Sequence, residues 1–269
     1  MEFLTAQSKR LGYSAVNTAR SALSTFITID GVKAGEHPLI SRFMTEVFNQ
    51  NPALPRYVET WDPQMVVSYL ESFPDFGDST LKQLTLKLAM LLALTTAQRI
   101  QTLEALSIAD MEVLPDRYVL RINCLLKQTS SKGNGSRHLP PVVLKEYSQN
   151  KKLCVVGLLK EYLRRTDSLR RGEIQLLLCH TKPHGAASKD TIGRWLKFVM
   201  LQAGIDTSVF RPHSTRSTVT SAAKAKVPID EIMATAGWHS RCVFGKYYDK
   251  PVVETSGFAD SILSGAKLC

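Results

Sequence analysis

Residues 81–106 constrain this chain more than any other stretch. One apolar pattern of helical period runs from Leu81 to Leu106, with Asp78 or Ser79 as the expected N-cap and a break expected at Thr95–Gln98. Its longest uninterrupted apolar run, Leu88–Leu94, has seven residues. A membrane-spanning helix needs about 20. The pattern therefore predicts a long helix within a globular fold.

A chain of 269 residues has room for one large or two modest domains, each with its own core. Hydrophobic residues at 44% and charged residues at 22% are ordinary globular proportions, which excludes a wholly disordered chain and a disulfide-stapled miniprotein. The first residues, MEFLTAQSKR, lack the basic-then-apolar pattern of a signal peptide, so residence inside a cell is expected. The five cysteines (Cys124, Cys154, Cys179, Cys242 and Cys269) are odd in number and contain no C-x-x-C pair, so they read as reduced thiols. Cys179, His180 and His184 fall short of the four ligands of a tetrahedral zinc site, and no metal or cofactor is expected.

Charge points to a partner. Lys and Arg number 34 against 24 Asp and Glu, a net charge of +10 that suits a polyanion. Residues 1–78 hold six basic and nine acidic side chains, so the whole excess lies beyond them.

Residues 1–70 read as helical throughout: Tyr13, Val16, Ala19, Leu23 and Phe26 recur at helical spacing, and Pro38–Phe48 and Asp62–Phe73 form two further short helices. The connector Asn51–Trp61 contains two prolines. The turn-rich segment SFPDFGDST (72–80) marks a domain boundary, giving an N-terminal domain over 1–76 and a second over 77–269. In the second, Arg117–Leu126 is a strand, QTSSKGNG a polar turn, and SRHLPPVVL a returning partner: a hairpin with a basic tip that includes Lys132 and Arg137. Helices are expected at Val155–Arg165, Ser188–Ala203, His213–Lys226, Ile229–Ala236 and Val243–Tyr248, with a buried strand at Ile174–His180.

Singly, the polar residues of the second part are unremarkable. Arg99 ends an apolar run, and His213 and Arg216 in RPHSTRS fall on the first turn of a helix, three residues apart on one face. A helix N-terminus favours anions, and an arginine there adds a bidentate phosphate clamp. The order of the pieces says more: Arg99, then Lys127 on the hairpin, H-x-x-R at His213 and Arg216, Gly237-Trp238, and a tyrosine about ten residues on. This order resembles the tyrosine recombinase family of phage integrases and Xer-type enzymes. The segments WDPQMVVSYL, KLAMLLALTTAQRIQTLEAL and AGWHSRCVFGKYYDKPV are similar to the recombinases of eukaryotic DIRS-like retrotransposons and Crypton elements.

The resemblance implies a mainly α (α+β) fold: a helical, SAM-like core-binding domain and a mostly helical catalytic domain with a small antiparallel sheet, forming a C-shaped clamp on double-stranded DNA. It implies a homotetramer on two DNA sites and, for a eukaryotic element, residence in the nucleus. Lys9, Arg10 and Arg20 are the expected DNA-facing basic residues of the acidic N-terminal domain, joined by Lys132 and Arg137 on the hairpin.

It also implies the chemistry. Arg99 and Arg216 would hold the non-bridging oxygens of a phosphodiester and stabilise the charge developing there, which a planar, permanently charged guanidinium does better than lysine. His213 would donate to the phosphate or help take the tyrosine proton. Lys127 would protonate the leaving 5′-oxygen, with Lys132 as the alternative. Trp238 stands at the family's His-or-Trp position, with His239 beside it. The nucleophile is one of an adjacent pair: phage-enzyme spacing selects Tyr247, whereas the DIRS-like pattern ending Phe244 to Tyr248 selects Tyr248, the preferred reading. Many bacterial members carry an acidic residue three positions after the first arginine, where this chain has Thr102. The expected reaction needs neither ATP nor a divalent metal. In the tail, Phe258, Ile262 and Leu263 form an apolar stripe suited either to a neighbouring protomer or to the chain's own domain.

Overall fold

The structure, a computed structural model, describes residues 1–52, 57–124, 126, 139–238, 244–245 and 250. The chain divides into two compact units, Met1–Arg56 and Tyr57–Cys269.

The first unit holds α1 (Glu2–Ser8), α2 (Tyr13–Leu23), the two-residue strands β1 (Thr28–Ile29) and β2 (Val32–Lys33), and α3 (Pro38–Gln50). Leu4, Val16, Ala34, Ile40 and Met44 form its core. Pro38 opens α3 at a position that needs no N–H donor, and His37 caps it by accepting from the Leu39 amide at 3.3 Å. The expectation of helix throughout residues 1–70 fails at β1 and β2. Asp30 and Gly31 between them have φ of 49° and 77°, the pair of positive values that an Asp-Gly hairpin turn requires.

The second unit begins with α4 (Pro63–Glu71), capped by Asp62 through the Gln64 amide at 2.9 Å. At its centre is α5 (Leu81–Thr96), which packs against α7 (Val155–Thr166), α8 (Lys189–Gln202) and α9 (Ser214–Ala223). Its side chains from Leu84 to Ala93 are buried on all sides, as an internal helix must be. The N-cap is Thr80 rather than Asp78 or Ser79. The Gln83 amide donates to Thr80 Oγ1 at 3.3 Å and the Thr80 amide to Gln83 Oε1 at 2.8 Å, a reciprocal capping box. The expected break near Thr95–Gln98 is present: Ala97 closes α5 in the left-handed conformation, and α6 (Ile100–Glu104) follows.

Next comes an antiparallel sheet of β3 (Met111–Val113), β4 (Arg117–Leu120) and β5 (Val142–Lys145), with Tyr118 opposite Leu144 and Leu120 opposite Val142. These four inward residues are buried and the positions between them are not, the alternation of a one-sided sheet. The expected hairpin is thus real, though β4 ends six residues early and β3 adds an unforeseen edge. The strand expected at Ile174–His180 is absent. Leu176, Leu177 and Leu178 are buried there, but only single bridges form, Ser107 with Gln175 and Leu178 with Ala186. Burial without a ladder came from the same apolar run. The helices α7, α8, α9 and α10 (Ile229–Ala236) fall within a few residues of expectation.

The boundary between the compact units lies some twenty residues before the one read at 76. Trp61, Val66 and Leu70 belong to the core of the second unit. The turn-rich segment 72–79 is fastened down. Arg165 donates to the carbonyls of Ser79, Phe76 and Gly77, Lys152 to that of Phe73, and Asn150 bonds Glu71. Beneath it Lys87, only 1% exposed, points its ammonium at the rings of Phe73 and Phe76, 5.6 and 5.4 Å from their centroids.

Candidate active site

Four of the sequence-predicted residues, Arg99, His213, Arg216 and Trp238, fall among the described residues of the second unit. Arg99 arrives through the bend between α5 and α6. Ala97 takes φ 50°, a left-handed conformation costing an L-residue about 1–2 kcal/mol, and its buried methyl packs in a small cluster with Ile232, Met233, Ala236, Trp238 and Phe244. Gln98 ties the bend down by donating to the Thr235 carbonyl at 2.7 Å. Arg99 then opens α6 in extended conformation. Its Nη1 is buried and has no hydrogen-bond partner among the described residues.

Arg216 sits in α9, 2% exposed. Its Nη2 donates to the Ala236 carbonyl at 2.5 Å and its guanidinium carbon lies 4.4 Å from the centre of the Trp238 ring. Gly237 ends α10 with φ 66°, and this left-handed turn puts Trp238 beside Arg216. Phe244 continues the stack, 5.2 Å from the indole.

His213 stands at the N-cap of α9. Its pKa is lowered from the ordinary imidazole value, first by loss of solvation, then by the Arg216 and Arg99 charges. Both guanidinium charges therefore disfavour the protonated form of one imidazole. Thr102, in place of an acidic residue, is buried, and its amide donates to the Arg99 carbonyl at 2.8 Å.

Helix α9 has little apolar character, yet Ser214 through Thr218 and Thr220 are all buried. Burial of so many hydroxyls is tolerable because each finds an acceptor or donor. Ser217 Oγ donates to the Ser214 carbonyl at 2.9 Å, Thr220 Oγ1 to the Arg216 carbonyl at 2.8 Å, and Thr218 bonds Thr60. Sequence reasoning did not foresee Trp61 here: its Nε1 donates to Ser214 Oγ at 2.9 Å.

Lys127, Lys132, Arg137, His239, Tyr247 and Tyr248 lie outside the described residues, as do Phe258, Ile262 and Leu263. The base of the hairpin is described. Pro140–Val143 share a cleft of about 240 Å³ with Thr96, Gln98, Ala234 and Thr235, alongside the Arg99 bend. The residues flanking the tyrosine pair are described as well. Phe244 packs on Trp238, and the Lys250 amide donates to Ser221 Oγ at 3.0 Å.

In the first unit, Lys9 and Arg10 are exposed. Arg20 is half-buried and engaged within its own unit, donating to the Gly35 carbonyl at 2.5 Å and to Asn17 Oδ1 at 3.0 Å. A basic surface that sequence reasoning missed lines the groove between α6 and α8, where Lys189, Arg194 and Lys197 stand on one face of α8. The signal was their spacing on a single helical face. Among the described residues there is no cluster of His, Cys, Asp or Glu suited to a metal ion, and no helix is long and apolar enough to cross a membrane.

A mostly helical unit with a small antiparallel sheet is the fold of the tyrosine recombinase catalytic domain. Residues 68–252 match the Phage integrase family, and the chain belongs to that family, the tyrosine recombinases. No curated protein matches the chain. Among solved structures, XerH recombinase bound to its difH substrate before cleavage is similar, at 12% identity over 98% of this chain and 76% of that one, with a TM-score of 0.54. The Tn1549 transposon integrase on circular-intermediate DNA gives 15% identity, 98% and 82% coverage and a TM-score of 0.55. XerA recombinase gives 14%, 99% and 90%, and 0.52. At these identities the likeness concerns the fold.

Proposed function

We propose that this chain cuts and rejoins duplex DNA through a covalent 3′-phosphotyrosyl intermediate. The observation that carries this reading is the buried Arg216 guanidinium held against Trp238 on the helix that His213 caps, with Arg99 near enough for its charge to help lower the imidazole pKa. Guanidinium groups beside an imidazole suit a phosphodiester, whose anionic oxygens must be neutralised before a nucleophile can approach. The buried Nη1 of Arg99, unbonded among the described residues, is a donor that such an oxygen would satisfy.

In this reading the hydroxyl of Tyr248 attacks the phosphorus, its proton passing toward His213, and the bond to the 5′-oxygen breaks as Lys127 supplies a proton. Tyr247 and Lys132 are the alternatives in the same roles. The 5′-hydroxyl of a second strand then reverses the step, conserving the bond energy without ATP or metal. Strand exchange between two duplexes calls for four protomers. The basic face of α8, with Lys9 and Arg10 of the first unit, contributes phosphate contacts. XerH and the Tn1549 integrase, both similar in fold, are described on DNA. The motif resemblance to DIRS-like and Crypton recombinases supports a role in movement of a genetic element and residence in the nucleus.

The test is a nicked oligonucleotide duplex that traps the covalent intermediate, assayed in EDTA. Wild-type protein is expected to form a denaturation-resistant protein–DNA adduct. Normal binding without any adduct overturns the reading in favour of a non-catalytic DNA-binding protein. Relaxation of supercoiled plasmid by a monomer, without synapsis of two duplexes, replaces it with a topoisomerase-like one.

A further inference from the structure

Helix α9 is gripped from the side opposite its arginine. At 100° per residue, Ser214, Thr218 and Ser221 (i, i+4, i+7) share one face, and Arg216 points away from it. Trp61 Nε1 donates to Ser214, the Thr60 hydroxyl bonds Thr218, and the Lys250 amide donates to Ser221. Thr60 and Trp61 are buried. The same short segment reaches further. The Tyr57 ring lies 5.6 Å from that of Phe210, its hydroxyl accepts from the Arg211 amide at 3.2 Å, and its carbonyl accepts from Lys250 Nζ.

We infer that Tyr57–Trp61 is a positioning strap for the reaction, an assignment that rests on the strand-transfer reading above. The strap does two things. It fixes the rotation of α9, so that Arg216 meets Ala236 and Trp238 on the far side. It also holds Lys250, two residues beyond Tyr248, and so sets one end of the segment that carries the nucleophile. Its effect passes through α9 and Lys250.

The test compares Lys250→Met, Lys250→Arg, Trp61→Phe and the paired Thr60→Val/Thr218→Val with wild type. Four quantities are measured: single-turnover adduct formation at saturating nicked DNA, DNA affinity, urea midpoint, and hydrogen exchange of the α9 amides. Lys250→Met is expected to slow adduct formation about tenfold or more while affinity stays within about threefold, the separation that marks a group acting on the chemical step. The urea midpoint stays unchanged, and Lys250→Arg recovers most of the rate. Trp61→Phe and the paired valine variant are expected to speed exchange along α9 beyond any change in global stability. Adduct formation within about twofold of wild type in Lys250→Met, or α9 exchange that follows global stability alone, overturns the strap. If wild type forms no adduct, the strand-transfer reading fails by itself, and α9 exchange in Trp61→Phe still decides whether the strap holds the helix.

Discussion

The guanidinium of Arg216 lies 4.4 Å from the centre of the Trp238 ring, while its Nη2 is bonded to the Ala236 carbonyl two residues before that tryptophan. Stack and hydrogen bond together fix the plane of the guanidinium. A lysine in its place offers a point charge on a flexible stem, with neither the fork nor the stacking surface. Arg216→Lys and Arg216→Ala are each expected to slow adduct formation on nicked DNA by roughly 10²- to 10³-fold, with a much smaller loss of DNA affinity. Single-turnover rates and binding measured side by side check this.

Tyr248→Phe is expected to abolish the covalent adduct, and Tyr247→Phe to retain it, because adjacent residues cannot both face one phosphate. The reverse pattern moves the nucleophile to Tyr247. Adduct assays on the two single variants decide the matter.

The acidic limb of the reaction reports on His213. Desolvation and the two arginines lower its pKa, so the imidazole takes up its proton at a lower pH than an ordinary histidine does. Adduct formation is expected to be flat from about pH 7 to 8 and to fall only below about pH 6.5. His213→Gln should remove that limb from a pH–rate profile.

Lys87 costs stability at neutral pH. Burial is the largest cause of its pKa falling to about 8, with Lys152 adding repulsion. The unfolded chain, where the ordinary lysine pKa returns, holds this proton more tightly than the folded one. Stability contributed here is therefore low below pH 8 and rises as pH climbs from about 8 to about 10.5. Lys87→Met keeps the stem and removes the charge. It is expected to stabilise the protein by about 1 kcal/mol at pH 7, net of the lost contacts to the two phenylalanine rings, with the advantage shrinking by pH 10. Urea midpoints at the two pH values test the sign.

Gly237 has room for a methyl: among the described residues the nearest atom to an added Cβ is Leu139 Cδ2 at 3.7 Å, an ordinary van der Waals contact. The cost of Gly237→Ala is therefore conformational, about 1 kcal/mol for holding φ 66°. Because this turn lies between the acceptor of Arg216 and Trp238, adduct formation should fall further than thermal denaturation alone accounts for.

Legibility followed apolar period and motif order. Helices α7 and α8 could be read because their faces repeat with a 3.6-residue period, and α5 because its apolar run is long. The break before Arg99 showed as polar residues interrupting that repeat. The division into compact units falls before the turn-rich segment 72–80: Pro and Gly mark a turn whether or not that turn is fastened, and Arg165, Lys152 and Lys87 fasten this one from distant positions. The apolar run 174–180 signalled burial, but a strand also needs an adjacent partner, which no local pattern supplies.

By itself the sequence determined the roster of chemical groups, Arg99, His213, Arg216 and Trp238, and their order along the chain, because side-chain type and spacing are local properties. Tertiary structure alone decided that Arg216 lies against Trp238, that a helix of serines and threonines is buried, and that Trp61 holds it. The physical reason is the same in each case. Hydrogen bonds and charges act over a few ångströms in space, and residues distant in sequence reach that range only when the core between them has packed.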